Sequence, residues 1–202
     1  MEILLAVIIA YLLGSIPSAL WIGQLFYNTD IRQHGSGNLG TTNTFRVLGK
    51  KAGSVVLIMD MLKGTFAVLL PLIPYFSQLP SWFDPIVLGV VAIVGHMYPI
   101  FAQFKGGKAV ATSAGVLLGY APLFLLILAV VFFVTLKISK MVSLTSMTAA
   151  VVAFFLAMYR WIQHGELYFF VVIAIMAFFI LYRHRENIQR IRNGTESKVT
   201  WL

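Results

Sequence analysis

The residues best suited to chemistry lie in three polar segments of a chain that is otherwise strongly apolar. The first segment, HGSGNLGTTNTFRVLGKKAG from His34 to Gly53, combines glycines, short hydroxyl and amide side chains and basic residues, and it has no acidic residue. Glycine lets the backbone approach a ligand closely, and successive N–H groups can form an anion-binding nest. Ser36 adds a hydroxyl, and Arg46 adds a planar guanidinium suited to phosphate. The alternative is a flexible loop whose basic residues report only membrane orientation.

In the anion-binding interpretation, this segment supplies both backbone and side-chain ligands. The candidates are Gly35, Ser36, Gly37, Asn38, Thr42, Asn43 and Arg46. Residues 35–40 also match the dinucleotide-binding pattern Gly-x-Gly-x-x-Gly. That pattern requires a preceding strand and a surrounding βαβ unit, and the sequence predicts neither, so we reject a dinucleotide site.

The second segment is Lys105-Gly106-Gly107-Lys108, which directly precedes a predicted helix. Two lysines next to glycine backbone at the positive end of a helix dipole are typical of an anion site. The segment is not a P-loop, because the earlier glycine and the Ser or Thr after the lysine are missing. The alternative is an ordinary basic loop on the cytoplasmic side of a membrane.

The third segment, YRHRENIQR from Tyr182 to Arg190, ends the last apolar run. His184 and Asn187 are three residues apart and would share one helix face. His184 can titrate near neutral pH, although a structural histidine is an alternative. Glu186 can pair with Arg183 or Arg190 along the helix, which predicts a structural role for it.

Two charged residues, Asp60 and Lys63, fall inside a predicted membrane helix. Each can cost about 3 kcal/mol at the centre of a bilayer, so they must pair or face a polar cavity. Their i,i+3 spacing predicts a structural pair, and Asp60 could also brace the polar loops. His96 in GHMYP is expected to form hydrogen bonds within the membrane.

The elements that position these segments are predicted to be membrane helices. Of 202 residues, 59% are hydrophobic and only 11% charged, against about a quarter charged in soluble domains. MEILLAV carries an acid where a signal peptide carries basic residues, so we expect a retained helix. The predicted helices lie near 3–26, 53–75, 83–104, 109–119, 122–136, 141–159 and 167–182. Residues 109–136 could instead form one helix, and 109–119 is short for a span of about 20 residues.

The distribution of basic residues selects among these topologies. With seven helices, thirteen lysines and arginines lie on one side and Arg160 alone on the other, whereas six helices divide them seven to seven. Cytoplasmic loops carry the basic excess, so we predict an all-α integral membrane protein of seven transmembrane helices, with the N-terminus outside and the C-terminus cytoplasmic. Residues 1–202 would form one membrane domain without a separate soluble domain. All three polar segments would then face the cytoplasm.

Several classes of chemistry are excluded by composition and spacing. The chain has no cysteine, which removes disulfides and thiolate sites. No histidine is followed by Asp at the fifth position as in many glycerolipid acyltransferases, and there is no Gly-x-Ser-x-Gly elbow. No His/Asp/Glu cluster has metal-ligand spacing, so we expect neither a metal nor another cofactor. In a membrane protein, the net charge of +8 indicates loop orientation and anionic lipid rather than nucleic acid.

With these segments identified, the chain resembles the bacterial acyl-phosphate:glycerol-3-phosphate acyltransferases, the PlsY family. The resemblance rests on AYLLGSIPSA, GSGNLGTTNTFRVLGKKAG, DMLKG, VGHMYP, FKGGKAVAT and YRHRENI, in this order. It implies transfer of a fatty acyl group from acyl phosphate to the 1-hydroxyl of glycerol 3-phosphate in the cytoplasmic membrane, giving lysophosphatidic acid and phosphate in phospholipid synthesis. It also implies that Ser36, Arg46, Lys105, His184 and Asn187 belong to the substrate site and that Glu186 is structural.

A mechanistic hypothesis follows from the two phosphorylated substrates. Acyl phosphate has a good leaving group, so the glycerol hydroxyl could attack directly while a substrate phosphate takes the proton. Arg46, Lys105 and loop N–H groups would position the anions, and the backbone of Gly106 and Gly107 with Lys108 would complete the second cradle. The alternative mechanism makes Ser36 a covalent nucleophile activated by His184. Alternative functions are an anion or phospho-metabolite transporter and a lipid-binding assembly protein. A monomer is expected.

Overall fold

The computed structural model describes residues 1–77 and 79–199, and this part of the chain consists of helices joined by short turns. Three-residue 3-10 turns at Ile31–Gln33, Leu70–Leu72, Pro74–Phe76 and Ile100–Ala102 connect some of them. The α-helices are α1 (Glu2–Ser15), α2 (Ser18–Tyr27), α3 (Thr41–Leu69), α4 (Ile86–Met97), α5 (Val110–Tyr120), α6 (Pro122–Ser139), α7 (Val142–His164), α8 (Leu167–Arg183) and α9 (Arg185–Arg192).

Each predicted apolar segment has a helical counterpart, and the structure decides the open case at GYAP. Helix α5 ends at Tyr120 and α6 begins at Pro122. Between them, Ala121 has φ −143° and ψ 69°, because a residue before proline avoids the α region. The alternative of one helix over residues 109–136 is therefore wrong.

The first predicted helix is broken where the sequence suggested one continuous segment. Helices α1 and α2 meet at Ile16–Pro17 with a bend of 45°. Proline has no N–H to donate and crowds the preceding turn, which accounts for the break. The prediction of a single helix over 3–26 is corrected to a bent pair.

Helix α3 begins at Thr41 rather than near Gly53, so the second half of the first polar segment is helical. Gly49 interrupts it with φ 82° and ψ −175°. Threonine and asparagine are weak helix formers, which is why the sequence placed the start later. Close packing of Phe45 on Gly53, where a Cβ would overlap the ring, stabilises the early turns across the break.

The chain divides into two compact units, Met1–Pro122 and Leu123–Leu202. In the first unit, α1 packs on α4 and α3 packs on α5. Small residues line these contacts: a Cβ on Gly14 would overlap Ala92, and one on Gly115 would overlap the Met61 carbonyl. Membrane helices commonly pack through small residues in this way, because close backbone approach replaces the missing hydrophobic effect. The single membrane domain stays a prediction.

In the second unit, α7 packs on α8 and contacts α9. Helix α6 exposes large apolar side chains along its length, such as Leu123, Phe133 and Ile138 at 77%, 67% and 79% of their surface. The edge of the Phe124 ring meets Phe169 of α8 at 5.2 Å between ring centroids. Exposure of this much apolar surface is expected where lipid is the solvent.

The described residues include three helices that are long and apolar enough to cross a membrane: α3 with its following turn, α6 and α7. Two bent pairs, α1 with α2 and α8 with α9, raise the number of spans to five. Two shorter apolar helices remain, one over 86–102 with its turn and one at α5. The seven predicted segments are thus all helical, and the number of full spans and the orientation stay predictions.

Candidate active site

The first polar segment is organised around the side chain of Asn43, which is 2% exposed. Its Oδ1 accepts a hydrogen bond from the Ser36 N–H at 2.8 Å, and its Nδ2 donates to the carbonyls of Ile31 at 3.3 Å and His34 at 3.1 Å. Each of these contacts joins the start of α3 to the loop before it. Asn43, predicted as a substrate ligand, therefore shapes the loop that presents Ser36.

The glycines of this loop are required by its turn. Gly35 and Gly37 have φ of +62° and +67°, in the left-handed region that favours glycine. The Gly37 N–H donates to the His34 carbonyl at 3.0 Å. Because the Ser36 N–H is bonded to Asn43 and the Gly37 N–H to His34, these two donors are already used by the fold of the loop. The first N–H groups of a helix have no partner within it, so the start of α3 offers further donors for an anion.

Exposed polar groups lie next to this turn. The side chains of Ser36, Thr42 and Arg46 are exposed, and Asn38 is partly buried. Thr42 and Arg46 are four residues apart in α3 and share one face of the helix. Among the described residues Arg46 forms no ion pair, so its guanidinium is available to an anionic ligand.

Arg32, by contrast, is held by Asp30. Its Nη2 lies 2.6 Å from Asp30 Oδ2, and its Nε donates to Oδ1 at 2.9 Å. The hydrogen bonds from Arg32 hold the pKa of the Asp30 carboxyl below its usual value, and the carboxylate raises the pKa of Arg32. This pairing distinguishes Arg32 from Arg46 in chemical role.

The second polar segment rests on His96 at the end of α4. The Gly107 N–H donates to the His96 carbonyl at 3.2 Å. A Cβ on Gly106 would overlap that carbonyl, and a Cβ on Gly107 would overlap the imidazole. The two glycines therefore allow the loop to pack against His96, whereas the sequence suggested that they make room for a ligand.

Backbone strain surrounds this loop. Gln103, Phe104 and Ala109 have φ of 56°, 59° and 60°, which non-glycine residues adopt rarely and at a cost of about 1–3 kcal/mol each. They flank Lys105, which is exposed, and Lys108, which is half-buried. Strain of this kind persists only where the surrounding fold holds the backbone in place. It is found most often at ligand-binding sites.

Helix α5 begins directly after this loop with buried hydroxyl groups in its first turn. Thr112 Oγ1 and Ser113 Oγ are buried, and neither finds a hydrogen-bond partner among the described residues. The first N–H groups of a helix also have no partner within it and attract negative charge. The loop and the helix start together favour an anion.

Beneath the loops lies a buried charged cluster. Asp60 Oδ1 accepts from Ser18 Oγ and pairs with Lys63 Nζ, each at 2.9 Å, and it lies 3.7 Å from His96 Nδ1. Lys63 Nζ also donates to the Ile16 carbonyl at 3.0 Å. The predicted pair of Asp60 and Lys63 is confirmed. Through His96 this pair reaches the second loop.

One buried apolar cluster contains residues from both loop regions. Leu39 of the first loop and Ala102, just before the second, are buried in one cluster with Ala19, Leu20, Ile31 and Val56. Ser36 is three residues before Leu39, and Lys105 is three residues after Ala102. The first loop and the residues leading into the second loop are therefore anchored in the same apolar cluster.

In the second unit, His184 and Asn187 are both buried at the junction of α8 and α9. His184 Nδ1 lies 2.7 Å from the Ile180 carbonyl. A carbonyl only accepts, so Nδ1 carries the proton, and in the neutral ring Nε2 keeps the lone pair.

Asn187 contacts a residue that sequence reasoning did not select, Glu196. Its Nδ2 donates to Glu196 Oε1 at 2.7 Å, Ser143 Oγ donates to the same oxygen at 2.6 Å, and Arg190 Nε donates to Oε2 at 2.8 Å. Glu186, predicted to pair with Arg183 or Arg190, is exposed, and Arg190 pairs with Glu196. The signal for Glu196 was its place two residues after Gly194, a residue type that commonly ends a helix and turns the chain back.

A cavity of about 430 Å³ lies at the other end of α7. Its lining is Leu123, Phe124, Ile127, Arg160, His164 and Glu166. The Arg160 guanidinium is paired with Glu166 at 2.7 Å and stacks over Phe169 at 5.1 Å. Because the Arg160 guanidinium is already paired with Glu166, this cavity is a poor site for phosphate.

Long apolar helices, small-residue packing and a buried ion pair define the class of this chain, which is an all-helical integral membrane protein. The model of the glycerol-3-phosphate acyltransferase family matches residues 4–194. The chain therefore belongs to this family.

Individual relatives support this assignment along the whole chain. A glycerol-3-phosphate acyltransferase of Listeria monocytogenes is 53% identical over 205 aligned residues, covering 100% of this chain and 98% of the relative. One of Streptococcus equi is 50% identical over 212 residues, covering 100% and 94%. Crystal structures of PlsY, an integral membrane glycerol 3-phosphate acyltransferase, in the glycerol 3-phosphate and lysophosphatidic acid forms match with TM-scores of 0.87 and 0.85. They are 37% and 36% identical and cover 99% of this chain and 96% of theirs.

Proposed function

We propose that this protein transfers a fatty acyl group from acyl phosphate to the 1-hydroxyl of glycerol 3-phosphate, giving lysophosphatidic acid and phosphate. The observation that carries the proposal is that one apolar cluster contains Leu39, of the first cationic, glycine-containing loop, and Ala102, which leads into the second. Both substrates are phosphorylated, so the reaction needs two anion sites. Membership of the family supports the acceptor, and the loop pair supports a phosphorylated donor.

The proposed reaction is a direct attack. The glycerol oxygen forms a bond to the acyl carbonyl carbon, the bond from that carbon to the phosphate oxygen breaks, and inorganic phosphate leaves. The hydroxyl proton passes to a substrate phosphate, whose second pKa is about 6. A protein base is then not essential, because the leaving group is good and a proton acceptor is already in the site.

The loops supply positioning and charge. Arg46 and Lys105, both exposed beside a loop, hold the phosphates and offset charge that develops on the leaving group. Ser36, presented by Asn43, donates its hydroxyl to a phosphate or to the attacking oxygen. We propose His184 and Asn187 as further substrate ligands.

The surrounding membrane protein is proposed to have seven transmembrane helices, with its N-terminus outside the cytoplasmic membrane and the loops on the cytoplasmic side. We propose that it acts as a monomer without a metal or other cofactor. Anionic lipid is its proposed partner at the basic surface, through charge attraction.

A donor comparison tests the function. Purified full-length protein is incubated with radiolabelled glycerol 3-phosphate and either acyl phosphate, acyl-CoA or acyl carrier protein, and labelled lysophosphatidic acid is counted. We expect product with acyl phosphate alone. Product formation from acyl-CoA at an equal rate would contradict the proposed donor.

The mechanism has its own test, because the alternative passes the acyl group through Ser36. The protein is mixed with labelled acyl phosphate without the acceptor, quenched in acid and digested. Direct attack predicts no acylated Ser36 peptide and no burst of phosphate. Recovery of such a peptide at a rate compatible with turnover would establish the acyl-enzyme instead.

A further inference from the structure

Glu196 is a buried carboxylate that the proposed mechanism does not use. Its side chain is 7% exposed, and it lies just beyond residues 4–194 that match the family model. A carboxylate buried without partners is strongly unfavourable, so it is found where several donors converge. Here the donors are Ser143, Asn187 and Arg190.

The chain is turned back at the end of α9 to bring Glu196 to this place. Gly194 has φ +70°, its N–H donates to the Ile191 carbonyl at 3.1 Å, and the Thr195 N–H donates to the Arg190 carbonyl at 2.8 Å. This pair of bonds is the Schellman motif, in which a glycine in the left-handed region ends the helix. Further along, the Val199 N–H donates to the Lys140 carbonyl at 2.7 Å. Backbone hydrogen bonds thus hold the tail both before and after Glu196.

The carboxylate fixes the orientation of the Asn187 amide. An ionised carboxylate can only accept hydrogen bonds, whereas an amide has a donating and an accepting end. The end of Asn187 that faces Glu196 must therefore be Nδ2, and Oδ1 is turned away from the carboxylate.

The same carboxylate joins two helices. Ser143 is the second residue of α7, where the positive end of the helix dipole attracts negative charge. Asn187 and Arg190 are three apart in α9, on one face. Glu196 bridges this face to the start of α7, so it sets both the position and the rotation of Asn187.

We propose that Glu196 is a positioning residue for Asn187. This inference rests on the proposed function, in which Asn187 is a substrate ligand. Glu196 acts by holding the Asn187 amide in one orientation, and its effect on turnover passes through that amide.

A double-mutant cycle on the full-length protein tests this. The rate of acyl transfer is measured for the wild type, Glu196→Gln, Asn187→Ala and the double variant, together with KM for each substrate and the thermal midpoint. We expect Glu196→Gln to lower kcat about ten- to a hundredfold, with KM for acyl phosphate changed less. In the Asn187→Ala background the same substitution should change kcat by less than about twofold, because the amide it positions is gone.

Two further variants separate positioning from stability. Lys198→Gln removes one exposed tail charge and should leave kcat unchanged. Glu196→Asp keeps the charge beside Arg190 but shortens its reach, so it serves if Glu196→Gln does not fold, and its loss of kcat should likewise require Asn187.

Independent, multiplicative losses at Asn187 and Glu196 would overturn the inference, as would wild-type kcat in Glu196→Gln. A rise in kcat would also overturn it, because it would mean that the tail blocks the site. An inactive wild type would contradict the proposed function itself. An active wild type that is indifferent to Glu196 would contradict only the positioning role.

Discussion

At the scale of single residues, the first polar segment contains residues that form its turn and residues that are exposed beside the turn. Asn43, Gly35 and Gly37 are committed to the turn, whereas Ser36 and Arg46 are exposed beside it. Substitution of a turn-forming residue should disturb the conformation of the whole loop. Substitution of one of the exposed residues should change one contact to the substrate and leave the fold intact.

Arg46→Ala is expected to raise KM for a phosphorylated substrate. A hydrogen bond to a charged group contributes about 1.5–3 kcal/mol, which corresponds to about a 10- to 100-fold change in KM. Steady-state assays with each substrate varied in turn measure this. Lys51→Ala, which removes an exposed cation from the same helix, is the control and should remain within about twofold. Equal effects of the two substitutions would mean that only net charge matters.

Gly107→Ala should impair the second loop because the new methyl group would overlap the His96 imidazole. The loop must then move, and misplacement by about 1 Å can cost about a hundredfold in rate. We expect kcat/KM to fall at least about tenfold. Gly119→Ala in α5 is the matched control, since its Cβ would lie 3.3 Å from the Thr65 carbonyl oxygen and meet no closer atom. Comparable activity of both variants would show that the packing on His96 is not required.

At the scale of elements, the helices break where polar groups must be reached. At the break between α1 and α2, the Ile16 carbonyl accepts hydrogen bonds from the Ser18 N–H and from Lys63 Nζ, each at 3.0 Å. In a membrane every freed backbone group needs such a partner. Lys63 in turn is neutralised by Asp60. The kink, the lysine and the aspartate therefore form one structural unit.

Asp60→Asn should strongly destabilise the protein, because it leaves the Lys63 charge buried without its partner. Removal of one member of a buried pair costs about 3–5 kcal/mol. Thermal unfolding in detergent should show a lowered midpoint, with partial recovery in Asp60→Asn/Lys63→Met. Asp30→Asn breaks a partly exposed pair and should cost at most about 1 kcal/mol. A wild-type midpoint for Asp60→Asn would show that the buried pair contributes little.

The thermal stability that the C-terminal tail contributes should depend on pH through protonation of Glu196. Burial alone raises the pKa of this carboxyl, but hydrogen bonds from Ser143, Arg190 and Asn187 outweigh it and hold the pKa below the usual 4.5. The stabilisation is therefore fully present above 4.5 and is lost as the pH falls through the lowered value. We expect the thermal midpoint of the wild type to exceed that of Glu196→Gln near neutral pH and this difference to narrow as the pH falls below 4.5. A gap independent of pH would exclude titration of Glu196 as its source.

At the scale of the whole molecule, two kinds of surface coexist on the described residues. Helix α6 exposes apolar side chains as a lipid-facing helix does, while basic residues lie near the ends of several helices. Lys105 and Lys108 precede α5, and Lys137 lies in the last turn of α6. Basic residues beside the ends of membrane helices are typical of cytoplasmic loops, as the proposed orientation requires.

The seven-span orientation predicts which positions a membrane-impermeant thiol reagent can reach in intact cells. The chain has no cysteine, so single substitutions can be introduced without background. Ser81→Cys and Gln163→Cys, between predicted helices on the outer side, should be labelled. Lys50→Cys and Lys198→Cys should be labelled only after the cells are opened. Labelling of Lys198→Cys in intact cells would reverse the orientation of the C-terminus.

Much of the architecture was accessible from the sequence. Apolar runs fix which segments are helical, because in a bilayer every backbone group must be bonded within its own segment. The break at GYAP was anticipated as one of two possibilities, and the spacing of Asp60 and Lys63 predicted their pair. The three polar segments were recognised by residue type, since glycine, arginine and lysine next to short polar side chains are suited to phosphate.

Only the tertiary structure decided how these segments are held. The hydrogen bond from the Ser36 N–H to Asn43, the packing of Gly107 on His96 and the return of Glu196 to Asn187 join residues that no local period connects. The local sequence specifies which backbone N–H and C=O groups are hydrogen-bonded within a helix. Buried groups outside the helices must instead find partners wherever the fold brings them, and that choice depends on the packing of the whole chain.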